Sequence, residues 1–244
     1  MKKEYLKIDK VIGPLIEMSN VADISYGEVV DIMTPDGTVK KGKVIKIEED
    51  KVVIQVFEAF ELPLSKDILG RTFDGLGRPM DLGGEIYSRN KYNINGRPIN
   101  PVARKYPRDF IQTGISSIDA LMTLIRGQKL PIFSGNGMPH NELAVQIVRQ
   151  AKLGEGTNED FAIVFAAIGV KHDDADFFKR SLIEANAMDR VVMFINYAND
   201  PIAERINTPR CALSAAEYLA FEEGMQILVV MSDITSYCEA LREV

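Results

Sequence analysis

The chain has 244 residues, 46% of them hydrophobic, and 29 basic against 35 acidic side chains give a formal net charge of -6. That length exceeds one compact domain of usual size, so a small domain beside a larger one is expected, and the acidic balance argues against a general affinity for nucleic acid. The two cysteines, Cys211 and Cys238, form no CxxC pair and no His-rich cluster. Metal binding and a disulfide framework therefore lack support, and a reducing, cytosolic compartment fits best. Apolar runs such as Phe161 to Ile168 fall far short of the roughly 18 residues that span a bilayer, so membrane association is expected only through partners.

In chain order, the first region holds short β-rich runs at Val29 to Met33, Lys43 to Ile47 and Val52 to Phe57. Pro35-Asp36-Gly37 and Glu49-Asp50-Lys51 separate them as turns, because proline presets φ and glycine accepts a positive one. Residues 1–66 are thus predicted to form a small antiparallel β-barrel or meander. From 67 to 110 glycines and prolines are too dense for long elements, yet Leu69, Phe73, Leu76, Met80, Leu82 and Ile86 are too apolar for a solvated tether. An ordered connector is expected.

From 111 to 244 apolar runs alternate with helix-length segments. Strands are predicted at Lys129–Phe133, Phe161–Ile168, Val191–Ile195 and Ile227–Met231, and helices at Glu142–Lys152, Asp176–Ala187 and Ala212–Glu223. Strand, helix, strand at this spacing implies a parallel sheet covered by helices, since parallel neighbours need a crossover. The fold class is α/β.

Between the predicted strand at Lys129–Phe133 and the predicted helix at Glu142 lies a glycine-bearing loop, Ser134-Gly135-Asn136-Gly137-Met138-Pro139-His140-Asn141. A working phosphate loop needs close backbone approach, a lysine with a fixed charge and a Ser/Thr hydroxyl on Mg2+. Here Pro139 takes the last glycine's place and removes one N–H. His140 takes the lysine's place, and histidine is mostly neutral near pH 7. Asn141 takes the hydroxyl's place and is a poor substitute at magnesium. Hydrolysis at this loop is not expected. Asp233 ends the run Ile227 to Ser232 and is the candidate for a magnesium-bound water, with capping of the turn at Ile234-Thr235-Ser236 the favoured reading. Lys171-His172-Asp173-Asp174 is read as a charged loop whose acids favour a helix N-terminus, not as a metal site.

Ile111 to Asp119, followed by Arg126 to Ser134, resembles the rotary ATPase family, and Gly137 to Ala144 resembles its B, or regulatory, subunits. Asn95 to Pro101, Asn186 to Val192, Thr208-Pro209-Arg210, Ala216-Glu217-Tyr218 and Tyr237 to Val244 add further matches in the same order. The resemblance implies a β-barrel followed by a RecA-like P-loop domain that is incomplete here. It also implies a non-catalytic subunit alternating with catalytic A subunits in the soluble sector, on the cytoplasmic face, and coupled to H+ or Na+ transport by a membrane sector. No firmly bound cofactor is expected, with ATP or ADP and Mg2+ the candidates at a non-catalytic interface. The loop residues and Asp233 would then form a degenerate nucleotide site.

Where catalytic members carry Gly-Glu-Arg after the strand, this chain has Gly169-Val170-Lys171, without the carboxylate that orients the attacking water. The family also has a longer stretch where Val56-Phe57-Glu58-Ala59 runs directly into Phe60 to Ser65. It continues past Glu243-Val244 into a helical domain. Two other readings stay open: a hexameric P-loop ATPase of helicase, termination-factor or secretion type, and a stand-alone weak ATP-binding module.

Overall fold

The computed structural model describes residues 5, 8–12, 15–21, 24–34, 39–48, 51–56, 60–89, 91–96, 99–104, 106, 108–135, 137–154 and 160–243. The turns expected at Pro35-Asp36-Gly37 and Glu49-Asp50, the Phe57–Ala59 junction and the Arg97-Pro98 part of one motif lie outside the described residues. The chain forms two units, Met1–Phe60 and Glu61–Val244.

In the first unit β1 (Lys10–Ile12), β2 (Leu15–Ser19), β3 (Val29–Met33), β4 (Val39–Glu48) and β5 (Lys51–Val56) form an antiparallel sheet in the order β1-β2-β5-β4-β3. All three predicted strands are present, β4 being longer than expected, and β1 and β2 are additional. Alternate residues of β5 (Val52, Ile54, Val56) turn inward with Ile16, Met18 and Val44, the period-2 pattern of a half-buried strand. Gly42 lets β3 and β5 close over β4: a Cβ there would lie 2.6 Å from Ile54 Cγ2 and 2.8 Å from Ile32 Cδ1.

The second unit begins with β6 (Glu61–Pro63), β7 (Thr72–Asp74) and β8 (Lys91–Asn93), where β6 pairs antiparallel with β8. The segment read as a separate connector belongs to this unit and gives it a sheet strand. β7 joins the larger sheet through Met193 N donating to the Arg71 carbonyl (3.0 Å) and Gly70 N to that of Val191 (2.9 Å). After β9 (Ile111–Gln112) and α1 (Ser116–Leu121) comes α2 (His140–Gln150), followed by β10 (Lys152–Leu153), which pairs with β9.

The rest alternates: β11 (Phe161–Val170), α3 (His172–Glu184), β12 (Val191–Tyr197), α4 (Ile202–Phe221), β13 (Gln226–Ser232) and α5 (Ile234–Glu243). The parallel sheet runs β13-β11-β12-β7. β11 is buried at nearly every position, as a parallel strand covered on both faces must be. Ile163, Phe165 and Ala167 pack with Val148 of α2 and Phe178 and Leu182 of α3.

The helix expected at Asp176–Ala187 begins four residues earlier, so His172 to Asp174, read as a loop, are its first turn, and two predicted elements depart further. Lys129–Phe133 forms no strand: it has no ladder partner among the described residues, and Ile132 and Phe133 are exposed. β-propensity without a neighbour to hydrogen-bond does not make a strand. The helix expected from Ala212 instead starts ten residues earlier and passes through Pro209. A proline inside a helix costs about 3 kcal/mol. Burial of Asn207, Thr208, Pro209, Cys211 and Ala212 offsets that cost, and Thr208 Oγ1 donates to the Glu204 carbonyl (2.8 Å).

Candidate functional site

The loop before α2 is a surface feature. Ser134, Gly135, Gly137, Met138, Pro139 and His140 are exposed and Asn141 is half-buried, while Asn136 lies outside the described residues. Gly137 has φ +80°, a conformation that all but requires glycine. The amides that would line a phosphate cradle are turned on the loop itself: His140 N donates to the Met138 carbonyl (2.8 Å) and Met138 N to that of Gly135 (3.3 Å). Pro139 has no N–H to offer. The Asn141 side chain donates Nδ2 to Asp174 Oδ1 (3.1 Å) at the start of α3.

Val170, at the position of the family's glutamate, is the last residue of β11 and packs in the core at 7% exposure. Its carbonyl accepts from Ala198 N (2.8 Å). Asp233 Oδ1 accepts from Thr235 N (3.0 Å) and Oδ2 from Ser236 Oγ (3.3 Å), so its carboxylate serves the first turn of α5. His172 opens α3 with Asp173 and Asp174 in the first turn, and its ring stacks on Tyr197 at 4.0 Å. A lysine, a hydroxyl and a glutamate set for Mg2+-nucleotide are not what these residues present, and they do not fit such a group.

Two arrangements here were not anticipated. At the C-terminal ends of β11 and β12, buried Asn196 accepts on Oδ1 from Gly169 N (3.1 Å) and Arg205 Nε (3.3 Å) and donates Nδ2 to Asp200 (3.3 Å). Arg205 Nη2 also reaches the Ala198 carbonyl (2.8 Å). Gly169 must be small, since a Cβ would lie 2.9 Å from Ser236 Cβ and 3.0 Å from Arg205 Nε. The sequence signal was the stretch Asn196 to Asp200, with three polar side chains at the end of a buried strand, the place where α/β sheets build sites. At the far end of α2, Arg190 donates Nη1 to the Ala151 carbonyl (3.2 Å) and Nη2 to those of Val148 (3.2 Å) and Arg149 (2.9 Å). This satisfies carbonyls that a helix end leaves open. No helix among the described residues is long and apolar enough to cross a membrane.

Family models match both parts of the chain: the ATP synthase alpha/beta family β-barrel domain over residues 8–62 and its nucleotide-binding domain over residues 114–244. The chain is 61% identical over 261 residues to "V-type ATP synthase beta chain 2" of Clostridium tetani, covering all of this chain and 57% of that protein. It is 54% identical to the "V-type ATP synthase beta chain" of Halothermothrix orenii (100% of this chain, 56% of that one) and to that of Thermotoga neapolitana (99% and 56%). Among solved structures, "a unique ATP synthase subunit NeqB" from Nanoarcheaum equitans superposes with a TM-score of 0.70 at 37% identity, over 94% of this chain and 56% of that one. The chain thus spans a little over half the length of these relatives. With two models matched in chain order and the nucleotide-binding model alone covering more than half of its residues, the chain belongs to the ATP synthase alpha/beta family.

Proposed function

We propose that the chain is part of the regulatory B subunit of a V/A-type rotary ATPase or ATP synthase, a nucleotide-type fold that does not itself hydrolyse ATP. The carrying observation is Val170: the position that would hold the water-orienting carboxylate points an apolar side chain into the core. His140 and Asn141 in the loop support the same reading, and so does the kinship with V-type beta chains, which favours a rotary subunit over the helicase-type alternative. In this role the chain alternates with catalytic A subunits, and the assembly couples ATP synthesis or hydrolysis to H+ or Na+ movement through a separate membrane sector. Exposed Phe133 (94%) just before the loop and Met138 (57%) within it suit an interface with the catalytic subunit better than free surface. ATP or ADP, where present, would belong to that interface.

Co-expression with a catalytic A-type subunit followed by size-exclusion chromatography tests the assignment. A complex containing both chains is expected. Two separately eluting proteins, at concentrations where the A chain is folded, would argue against it.

A further inference from the structure

The start of α2 faces the start of α3 through one side-chain bond, Asn141 Nδ2 to Asp174 Oδ1 at 3.1 Å, in a half-buried setting. Acids in the first turn of α3 could serve that helix's own N-terminus alone. Asp174, in that first turn, also reaches across to α2. A carboxylate only accepts, so the amide must turn its nitrogen toward it, and the bond fixes a negative charge next to the residue that opens the loop's helix. The N–H groups at that helix start are what attract a phosphate in a working loop. A carboxylate held by the side chain of Asn141 lies within about one side-chain length of them, close enough for two like charges to repel measurably through a half-buried path.

We propose that Asp174, held in place by Asn141, excludes anions from the loop, so that the site rejects a nucleotide's phosphates actively and not merely through loss of its lysine. This rests on the reading of the loop as non-hydrolytic and deepens it. The loop's own bonds act in the same direction, since His140 N is already engaged by the Met138 carbonyl. Asn141 acts as a positioning residue and Asp174 as the specificity-determining one.

The test uses the whole chain and two probes, Mg2+-ATP and inorganic pyrophosphate, titrated by calorimetry against His140→Lys, His140→Lys/Asp174→Asn and His140→Lys/Asp173→Asn. In Asp174→Asn the amide oxygen can still accept from Asn141, so the cross-link survives and only the charge is removed. Asp174→Ser serves the same purpose should that variant fold poorly, and melting curves establish the fold of each. Expected is binding about tenfold tighter when Asp174 is neutralised than with His140→Lys alone, and a clearly smaller gain from neutralising Asp173. Equal affinity with and without Asp174, undetectable binding in both, or an equal gain from Asp173 overturns the inference. Weaker binding without Asp174 overturns it too, since the carboxylate would then serve a cation. The wild-type chain separates the two claims: release of phosphate from Mg2+-ATP by wild type contradicts the non-hydrolytic reading itself, whereas tight Mg2+-ATP binding without release, or a silent wild type with no Asp174 effect, contradicts only the exclusion.

Discussion

Neutralising Asp81 should weaken the larger unit by an amount that depends on pH. Asp81 accepts from Arg71 Nε at 2.8 Å on Oδ1 and 2.7 Å on Oδ2, from Thr72 N (2.9 Å) and from Gly83 N (3.0 Å). Arg71 Nη2 also donates to the Gly84 carbonyl (2.6 Å). The Arg71 guanidinium and these backbone donors hold the Asp81 carboxyl at about 2, below its ordinary 3.8. Their side chains are 16% and 27% exposed, so solvent screening discounts the interaction only in part. At about 1.4 kcal/mol per pKa unit the lowering is worth about 2 kcal/mol. Because the folded-state value is depressed, this stability is fully present above the unfolded value near pH 4 and is lost as pH falls through about 2. Asp81→Asn should therefore cost about 2 kcal/mol at pH 7, somewhat more if Arg71 is left without a partner. About half of the gap should remain at pH 3. Urea unfolding followed by circular dichroism at both pH values measures it. A gap of the same size at pH 7 and pH 3, or no gap at pH 7, would refute the stabilising role of the Arg71–Asp81 pair.

Arg190→Met removes the three charge-assisted bonds to the end of α2 and should lower stability by about 1–3 kcal/mol, with faster amide exchange in the last turn of α2; unchanged exchange there would count against the clasp. Cys211 is fully buried, and burial pushes its thiol up to about 12, whereas Cys238 is exposed. Under native conditions a maleimide should therefore label Cys238 at least about a hundredfold faster, and both equally in denaturant. Met138→Glu or His140→Glu should weaken assembly with the catalytic subunit while leaving the melting temperature unchanged; unaltered assembly would make the loop a relic. A lowered melting temperature would instead place the loop in the packing of α2.

The parts of the fold legible in the sequence are those whose signal is local and strong. β11, β12 and β13 are continuous apolar runs bounded by polar residues, and Val29–Met33 is a short run rich in β-branched residues. β7 was hidden because three residues, Thr72 to Asp74, are too few to carry a period and acquire strand character only by pairing with Met193 to Ile195 far along the chain. Lys129–Phe133 erred in the opposite direction, having strand composition without a partner. The first half of α4 was obscured by Pro209, whose cost is visible in the sequence while the burial that offsets it is not. At the site, the substitutions at Pro139, His140, Asn141 and Val170 could be read residue by residue. The Asn141–Asp174 bond and the Arg190 clasp could not, because each joins residues more than thirty positions apart through side chains whose types are common on any surface.

If the chain has the non-catalytic role proposed for it, it does not hydrolyse ATP. Release of labelled phosphate from Mg2+-ATP by the purified chain, in excess over nucleotide in a single-turnover assay, tests it directly. Wild type and His140→Ala alike should show no release above the buffer rate. Release by wild type that His140→Ala abolishes would contradict that role.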